Sequence, residues 1–393
     1  MLHKIGLLVE KYTEILQIFG ANCEAKLVGG CVRDYLKYGK FVEDVDISTI
    51  LTPKEVIAKL LEYRQATKKH ITTILDRDVK YGTVVAIIDA QRYEITTTRA
   101  DINCHGRQAE VAFCRNFEDD SGRRDFTINA LYVGLDGKID DFHGGLLDLE
   151  NNKIAFIGDA DKRVKEDFLR IVRYFRFSTK FCNFDIDDDI TSIFKNNAEG
   201  LKNISRERFR SEIWKLLSYE KWQNGLEIIK KSGLLCSIFG IKTEPKTCNN
   251  IINIHDKNFE QIVKLFHFFG GKKTVMNQLI ESFKLTKKEQ KFLIFLQIFF
   301  TLCNNKNLSL NAKKFVFNAE KTDLQIAMQI CNDDLKFTIA QFLKVIKPLP
   351  ITTTDLLNTG MKGKEIGDAI KKITEIWIKN EFKNTKEELL GFL

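Results

Sequence analysis

The sequence predicts an α+β head, a small mixed β-sheet with attendant helices, followed by an all-α neck, body and tail. Three observations predict it. Up to about residue 140, β-branched runs bounded by turn residues alternate with stretches of helical periodicity. Beyond about residue 150, apolar residues recur almost wholly at three- and four-residue spacing. The chain also holds 30 Phe and only 4 Pro, a composition suited to well-packed helices.

The elements follow in order. A helix over about 2–19 has Glu10, Lys11 and Glu14 interrupting its apolar positions, so it reads as amphipathic and not as a signal peptide. The strand "AKLVG" (25–29) leads into a helix from Cys31 to Tyr38. Strands "DVDIST", "GTVVAIID" and "RYEITTT" come next, with a helix over Pro53–Tyr63 among them. Past the head, "KEDFLRIVRYFRFS", "SRERFRSEIWKLL", "EQIVKLFHFF" and "QKFLIFLQIFF" are helical in pattern. We expect a head over 1–140, a neck over 141–220, and a body with tail over 221–393; "KTEPKTCNN" (242–250) reads as a linker.

The 393 residues allow several domains, and a net charge of +8 suits a polyanionic partner that is gripped and released. Nine cysteines without a C-x-x-C pair indicate neither a zinc cluster nor a disulfide framework, and suit reduced thiols in the cytoplasm. No apolar run approaches the ~20 residues of a transmembrane helix, so no membrane partner is expected.

The chemistry concentrates in "KLVGGCVRDYLKYGKFVEDVDIST" (26–49). Asp44 and Asp46, two apart on a strand, project from one face. Paired carboxylates of this kind suit Mg²⁺. Upstream, Gly29-Gly30 lets the backbone approach a bulky anion at a helix N-terminus, with Arg33 in the first turn. Together they describe a metal-bound triphosphate.

L-V-G-G-x-V-R-D-x-L followed by D-x-D-I resembles the signature of the nucleotidyltransferases that build the CCA end of tRNA, a class shared with bacterial poly(A) polymerases. "RRDFTINAL" (123–131), "DFHGGLLDL" (141–149), "EDFLRIVRYFRF" (166–177) and "SRERFRSEI" (205–213) resemble the family's later motifs in the family's order. The resemblance implies a nucleotidyltransferase-type head, a neck that reads the nucleotide base, and a body and tail that bind tRNA. It implies CTP and ATP as substrates and Mg²⁺ held by Asp44 and Asp46. It also implies nucleotide contacts from Gly30, Arg33, Arg124, Asp125, Asn129, Asp167, Arg170 and Arg173.

Arg123 and Arg124 offer forked donors for phosphate, and Asp125 can accept from a ribose hydroxyl. On the helix through this segment, Asp167, Arg170 and Tyr174 share one face, and Phe168, Ile171, Val172 and Phe175 form an apolar stripe on another. An accepting Asp beside a donating Arg complements cytosine and adenine, which each pair an exocyclic amino group with a ring-nitrogen acceptor. Uracil and guanine present the reverse. The bland alternative is an intrahelical ion pair.

Glu94 is a candidate third carboxylate, and Asp141 a hinge or a plain structural acid. His255-Asp256 suggests the metal dyad of phosphohydrolases without the surrounding ligands, so a surface role is expected. Residues 98–111 read as a polar loop, bent at Gly106, whose Arg99, Asp101 and Arg107 match a segment of the family's CCA-adding members. There it is expected to shift the reading pair between C and A steps. Three rivals stand beside complete CCA addition: a poly(A) polymerase, a partial CC- or A-adding enzyme, and a silent tRNA-binding protein. Against the first, "DRDVKYGTVVAIID" (76–89) lacks the Gly-Arg-Arg-Phe-like element usual in poly(A) polymerases.

Overall fold

In the computed structural model, residues 2–20, 24–67, 71–75, 82–105, 108–241, 259–303 and 308–393 are described. They form two compact units, Met1–Ile238 and Phe239–Leu393.

The first unit begins with helices α1 (Leu2–Ile18), α2 (Gly30–Tyr38) and α3 (Pro53–Thr67) set among strands β1 (Ala25–Val28), β2 (Asp44–Thr49), β3 (Ile71–Leu75), β4 (Thr83–Ile88) and β5 (Gln91–Thr97). Strands β6 (Arg99–His105) and β7 (Gln108–Phe113) follow, then β8 (Leu131–Val133) and β9 (Ile139–Asp141). Seven strands make one sheet in the order β3-β4-β5-β2-β1-β8-β9. Only β2 and β5 run parallel; the other pairs are antiparallel, so the sheet is mixed as expected. Alternation sets the faces: Val84, Ala86 and Ile88 of β4 turn inward, as do Val45 and Ile47 of β2. Leu8, Tyr12, Ile15 and Leu16 make the buried stripe of α1.

The predicted loop over 98–111 is instead a β-ribbon. β6 pairs antiparallel with β7 from Arg99 opposite Phe113 to His105 opposite Gln108, with a shift of register between Asp101 and Asn103. Backbone pairing stabilises this stretch even though its side chains are too polar for a core, which is why composition concealed it. Gly106 and Arg107 lie outside the described residues, as do the side chain of Asp101, the linker 242–250 and His255-Asp256. β3 and the short strands β8 and β9 were also not predicted.

Helices α4 (Phe117–Gly122), α5 (Gly145–Glu150), α6 (Ala160–Glu166), α7 (Leu169–Lys180), α8 (Asp188–Asn196), α9 (Arg206–Leu217), α10 (Trp222–Lys231) and α11 (Leu235–Phe239) carry the chain to the unit boundary. The expected single helix through "EDFLRIVRYFRF" is broken. α6 ends at Glu166, Asp167 is extended (φ −153°, ψ 104°), and α7 starts at Leu169. The Asp167 carboxylate accepts the Leu169 N–H at 3.2 Å, so this Asp competes with the helix for its own backbone. Ile171, Val172, Phe175 and Phe177 of α7 are buried, and α7 packs along α9.

Every regular element of the second unit's described residues is a helix. It comprises α12 (Glu260–Phe269), α13 (Lys273–Phe283), α14 (Lys287–Leu302), α15 (Leu310–Asn318), α16 (Lys321–Gln329), α17 (Asp333–Val345), α18 (Thr353–Asn358), α19 (Lys364–Lys379) and α20 (Lys386–Leu390). Its core is phenylalanine-rich, with Phe259 and Phe292 ring centroids 4.2 Å apart. A capping box, Thr286 with Glu289, starts α14. Among the described residues no helix is long and apolar enough to cross a membrane.

Candidate active site

A cavity of about 500 Å³ opens in the first unit, and Gly29, Gly30, Arg33 and Asp46 line one end of it. Gly29 has φ 72° and ψ −130°, a conformation only glycine adopts readily. A Cβ there would also come within 3.4 Å of the Asp46 carboxylate and 3.6 Å of the Arg124 guanidinium. The backbone therefore passes directly beside the acid, and α2 starts at Gly30, which with Gly29 lines the cavity. Arg33, buried, is held by the Asp34 carboxylate (2.8 and 2.9 Å) and donates to the Asn129 amide oxygen.

The parallel register of β2 and β5 sets Asp44 opposite Arg92 and Asp46 opposite Glu94. Burial pushes the Asp46 carboxyl up to about 6; the Glu94 and Asp44 carboxylates add to the rise, against Arg124 and Arg33. Such a carboxylate gains from a nearby divalent cation, so the donor chemistry suits Mg²⁺. As the side chains stand, Arg92 bridges Asp44 and Glu94, at 3.1 Å to each. Among the described residues no three acidic, His or Cys side chains are gathered into a ready metal cage.

Asp120, fully buried, organises the neighbouring arginines. Its oxygens meet Arg123 Nε (2.7 Å), Arg124 Nη2 (3.2 Å) and the Tyr132 hydroxyl (2.8 Å). Burial alone would raise this carboxyl, but the two guanidiniums and the Tyr132 hydroxyl hold it at about 2. Arg124 lines the cavity, whereas Arg123 does not. Asp125 accepts from the Phe126 N–H, from Asn129 Nδ2 (2.8 Å) and from Arg173 Nε (2.6 Å). It too sits at about 2, with Arg173 and Asn129 outweighing burial.

Asp167, Arg170, Arg173, Arg176, Arg208 and Lys215 line the same cavity from the helical side. The expected Asp167–Arg170 pair is absent. Asp167 is gripped at both oxygens by Arg208, while Arg170 Nη1 bonds Glu166 (2.6 Å) and the Arg163 carbonyl (2.6 Å). Both residues nevertheless face the same cavity. Tyr174 does not. It is buried among Phe126, Phe156 and Phe194 and borders a different cavity. The helix break at Asp167 is the reason the common face fails.

The predicted residues Asp46, Gly30, Arg33, Arg124, Asp125, Asn129, Asp167, Arg170 and Arg173 thus line one cavity, with Asp44 outside its lining. Reasoning from the sequence missed Arg176, Arg208, Lys215, Asp120 and Glu212. Glu212, buried, pairs with Arg176 (2.5 Å) and Arg173 (3.5 Å). Arg208 and Glu212 lie in the quoted "SRERFRSEI", so the motif pointed to them without saying what they bind. Asp141 is a structural acid: its oxygens accept the N–H groups of Gly145 (2.8 Å) and Leu146 (2.9 Å), capping α5.

Residues 25–155 match the family described as "Poly A polymerase head domain", and 183–247 that described as "Probable RNA and SrmB- binding site of polymerase A". The chain is 30% identical to CCA tRNA nucleotidyltransferase 1, mitochondrial, of Homo sapiens, over 95% of this chain and 87% of that protein. It is 31% identical to the CCA-adding enzyme of Lactococcus lactis, over 94% and 92%. Its fold matches that of the Bacillus stearothermophilus CCA-adding enzyme in complex with CTP, with a TM-score of 0.72, 24% identity, and coverage of 98% and 94%. Near full-length similarity to enzymes from an animal and a bacterium leaves one conclusion: the chain belongs to the CCA-adding tRNA nucleotidyltransferase family.

Proposed function

We propose that this chain adds C, C and A to the 3′ end of tRNA from CTP and ATP, releasing pyrophosphate, with the cavity described above as the single nucleotide site. The observation that carries this is that both sets of residues line one cavity, which we read as a phosphate end and a base end. Seven cationic side chains line it against three carboxylates, a balance suited to a triphosphate.

Arg33, Arg124 and the N-terminus of α2 bind the triphosphate. Asp44 and Asp46, with Glu94 beside them, would hold Mg²⁺. When bound there, the ion supplies activation of the terminal tRNA hydroxyl and charge relief for departing pyrophosphate. The Asn129–Asp125–Arg173 chain sets the ribose end. Asp167 accepts from the exocyclic amino group of cytosine or adenine, and Arg170 donates to the adjacent ring nitrogen. Arg208, by gripping Asp167 at both oxygens, keeps its carboxylate aimed. Uracil and guanine would meet this pair with a carbonyl and an N–H, leaving buried groups unmatched. The head, neck and body-with-tail division expected from the sequence places these roles in the head and neck, and tRNA binding in the body and tail. Free cysteines among the described residues suit a reducing compartment, and the cytoplasm is the one we propose.

The test offers tRNAs lacking one, two or three 3′ nucleotides to each triphosphate separately and sequences the products. Addition of two C and then a single A bears the reading out. Runs of A would indicate a poly(A) polymerase, and a stop after CC or failure to start without CC a partial enzyme. Absence of pyrophosphate release would leave only a binding protein.

A further inference from the structure

The second cavity of the first unit, about 490 Å³, has no part in the chemistry above. Tyr174 reaches it from α7. Only 3% of this residue is exposed, its ring is walled in by aromatic neighbours, and its hydroxyl has no hydrogen-bond partner among the described residues. That hydroxyl therefore offers the cavity an uncommitted donor and acceptor. Burial raises this phenol to about 12, with the Asp187 carboxylate adding to the rise, so it remains a neutral hydroxyl able to accept a hydrogen bond.

The rim says what kind of group fits. Asp185 and Asp187 border the cavity, and two more acids, Asp188 and Asp189, follow in sequence. One Asp187 oxygen caps α8 by accepting the Asp189 N–H at 2.7 Å; the other has no partner among the described residues. The one cationic lining residue, Lys153, lies 4.0 Å from Asp148. On a chain of net charge +8 this is a local negative spot, which repels phosphate and nucleic acid and attracts a cation. Phe156 and Ile190 supply apolar wall, and the Phe156 ring lies nearly parallel to that of Tyr174, 12° between planes. Apolar wall, aromatic faces and carboxylates together fit an ammonium on an aliphatic stem better than a hydrated metal ion.

We propose that this cavity binds a small aliphatic amine of the diamine class, its ammonium groups held by Asp185 and Asp187 and hydrogen-bonded to the Tyr174 hydroxyl, its methylenes against Phe156 and Ile190. The site is distinct from the nucleotide cavity but shares α7 with it, because Arg170 and Arg173 belong to the same helix.

Calorimetric titration of the full chain with 1,4-diaminobutane, in buffer containing Mg²⁺, tests this. Saturable one-to-one binding is expected. Tyr174→Phe should weaken it about fivefold, the worth of one neutral hydrogen bond. Asp187→Asn, which keeps the helix cap, and Asp185→Asn, at an exposed position where folding is not in question, should each weaken it about tenfold. Asp46→Asn should leave it unchanged. Absence of saturable binding overturns the proposal. So does undiminished affinity in all three cavity variants, loss confined to Asp46→Asn, or equally tight binding of 1-butanol or inorganic phosphate.

Discussion

The two ends proposed for the nucleotide cavity are built by different kinds of contact. At the phosphate end, Gly29, Gly30, Arg33 and Asp46 come from one strand–helix–strand passage of 18 residues, and their geometry follows from local backbone rules. At the base end, Asp167 is held by Arg208, 41 residues further along the chain and on another helix. A site assembled locally is written in spacing; one assembled by packing is not. The difference agrees with the proposed roles, since phosphate binding is common to every nucleotide, whereas base choice needs a group fixed from several sides.

The largest effect should therefore fall at the phosphate end. Asp46→Ala should slow C and A addition alike by at least about 1000-fold, the scale of losing a metal-held nucleophile, while tRNA binding persists. Asp44→Ala should behave similarly despite its greater exposure. Single-turnover rates and tRNA gel shifts measure both. Rates within tenfold of the parent would sink the metal assignment and leave Arg92 as the natural partner of Asp44.

Next comes the acid dependence of the folded state. Asp120 anchors Arg124 at the phosphate end, and Asp125 links Asn129 to Arg173 toward the base end; both carboxyls lie at about 2 against an ordinary 3.8. Because both are depressed in the fold, the stability they confer is complete above pH 3.8 and lost as the pH falls toward 2. Each contributes about 2 kcal/mol at neutral pH. Asp120→Asn should lower the urea midpoint at pH 7 and flatten its fall between pH 4 and 2. An unaltered acid limb would show that the guanidiniums do not favour the ionised acid in the fold.

Arg208→Ala should separate the two ends. With its grip gone, Asp167 retains, among the described residues, the Leu169 N–H, and discrimination against UTP and GTP should drop about tenfold. Affinity for the triphosphate portion, read from competition by pyrophosphate, should change little. Unchanged selectivity would mean that Arg208 serves packing alone.

What the sequence revealed divides along the same line. Strand β2 matches "DVDIST" residue for residue, because its alternation and its turn residues are local signals. The order of head and helices was legible for the same reason. The helix through Asp167 was misjudged because i, i+3 and i+4 spacing presumes an unbroken helix. The available contrary signal was an Asp directly before an apolar run, a residue that readily caps. The β6–β7 ribbon was missed because its pairing lies in the backbone, which composition does not record. Asp120 carries no motif signal apart from its closeness to Arg123 and Arg124, and only the fold shows it buried beneath them.

The smallest effect should come from a motif residue that belongs to neither end. Asp141 opens "DFHGGLLDL", and resemblance to a catalytic family invites a catalytic role for it. Its two oxygens are instead spent on the N–H groups of Gly145 and Leu146, with Gly144 in the left-handed conformation completing the turn into α5. Asp141→Ala leaves those N–H groups without their acceptor, at a cost of about 1 kcal/mol. Asp141→Asn, which keeps one acceptor oxygen, should recover part of that loss. Neither change should alter the ratio of CTP to UTP use, because the side chain borders neither Asp46 nor Asp167. Thermal melting and the nucleotide competition assay, run on the same preparations, separate the outcomes. A lower melting point with unchanged nucleotide choice confirms a scaffold acid. Altered choice at unchanged stability would instead extend the active site to this turn and blur the distinction between the cavity's two ends.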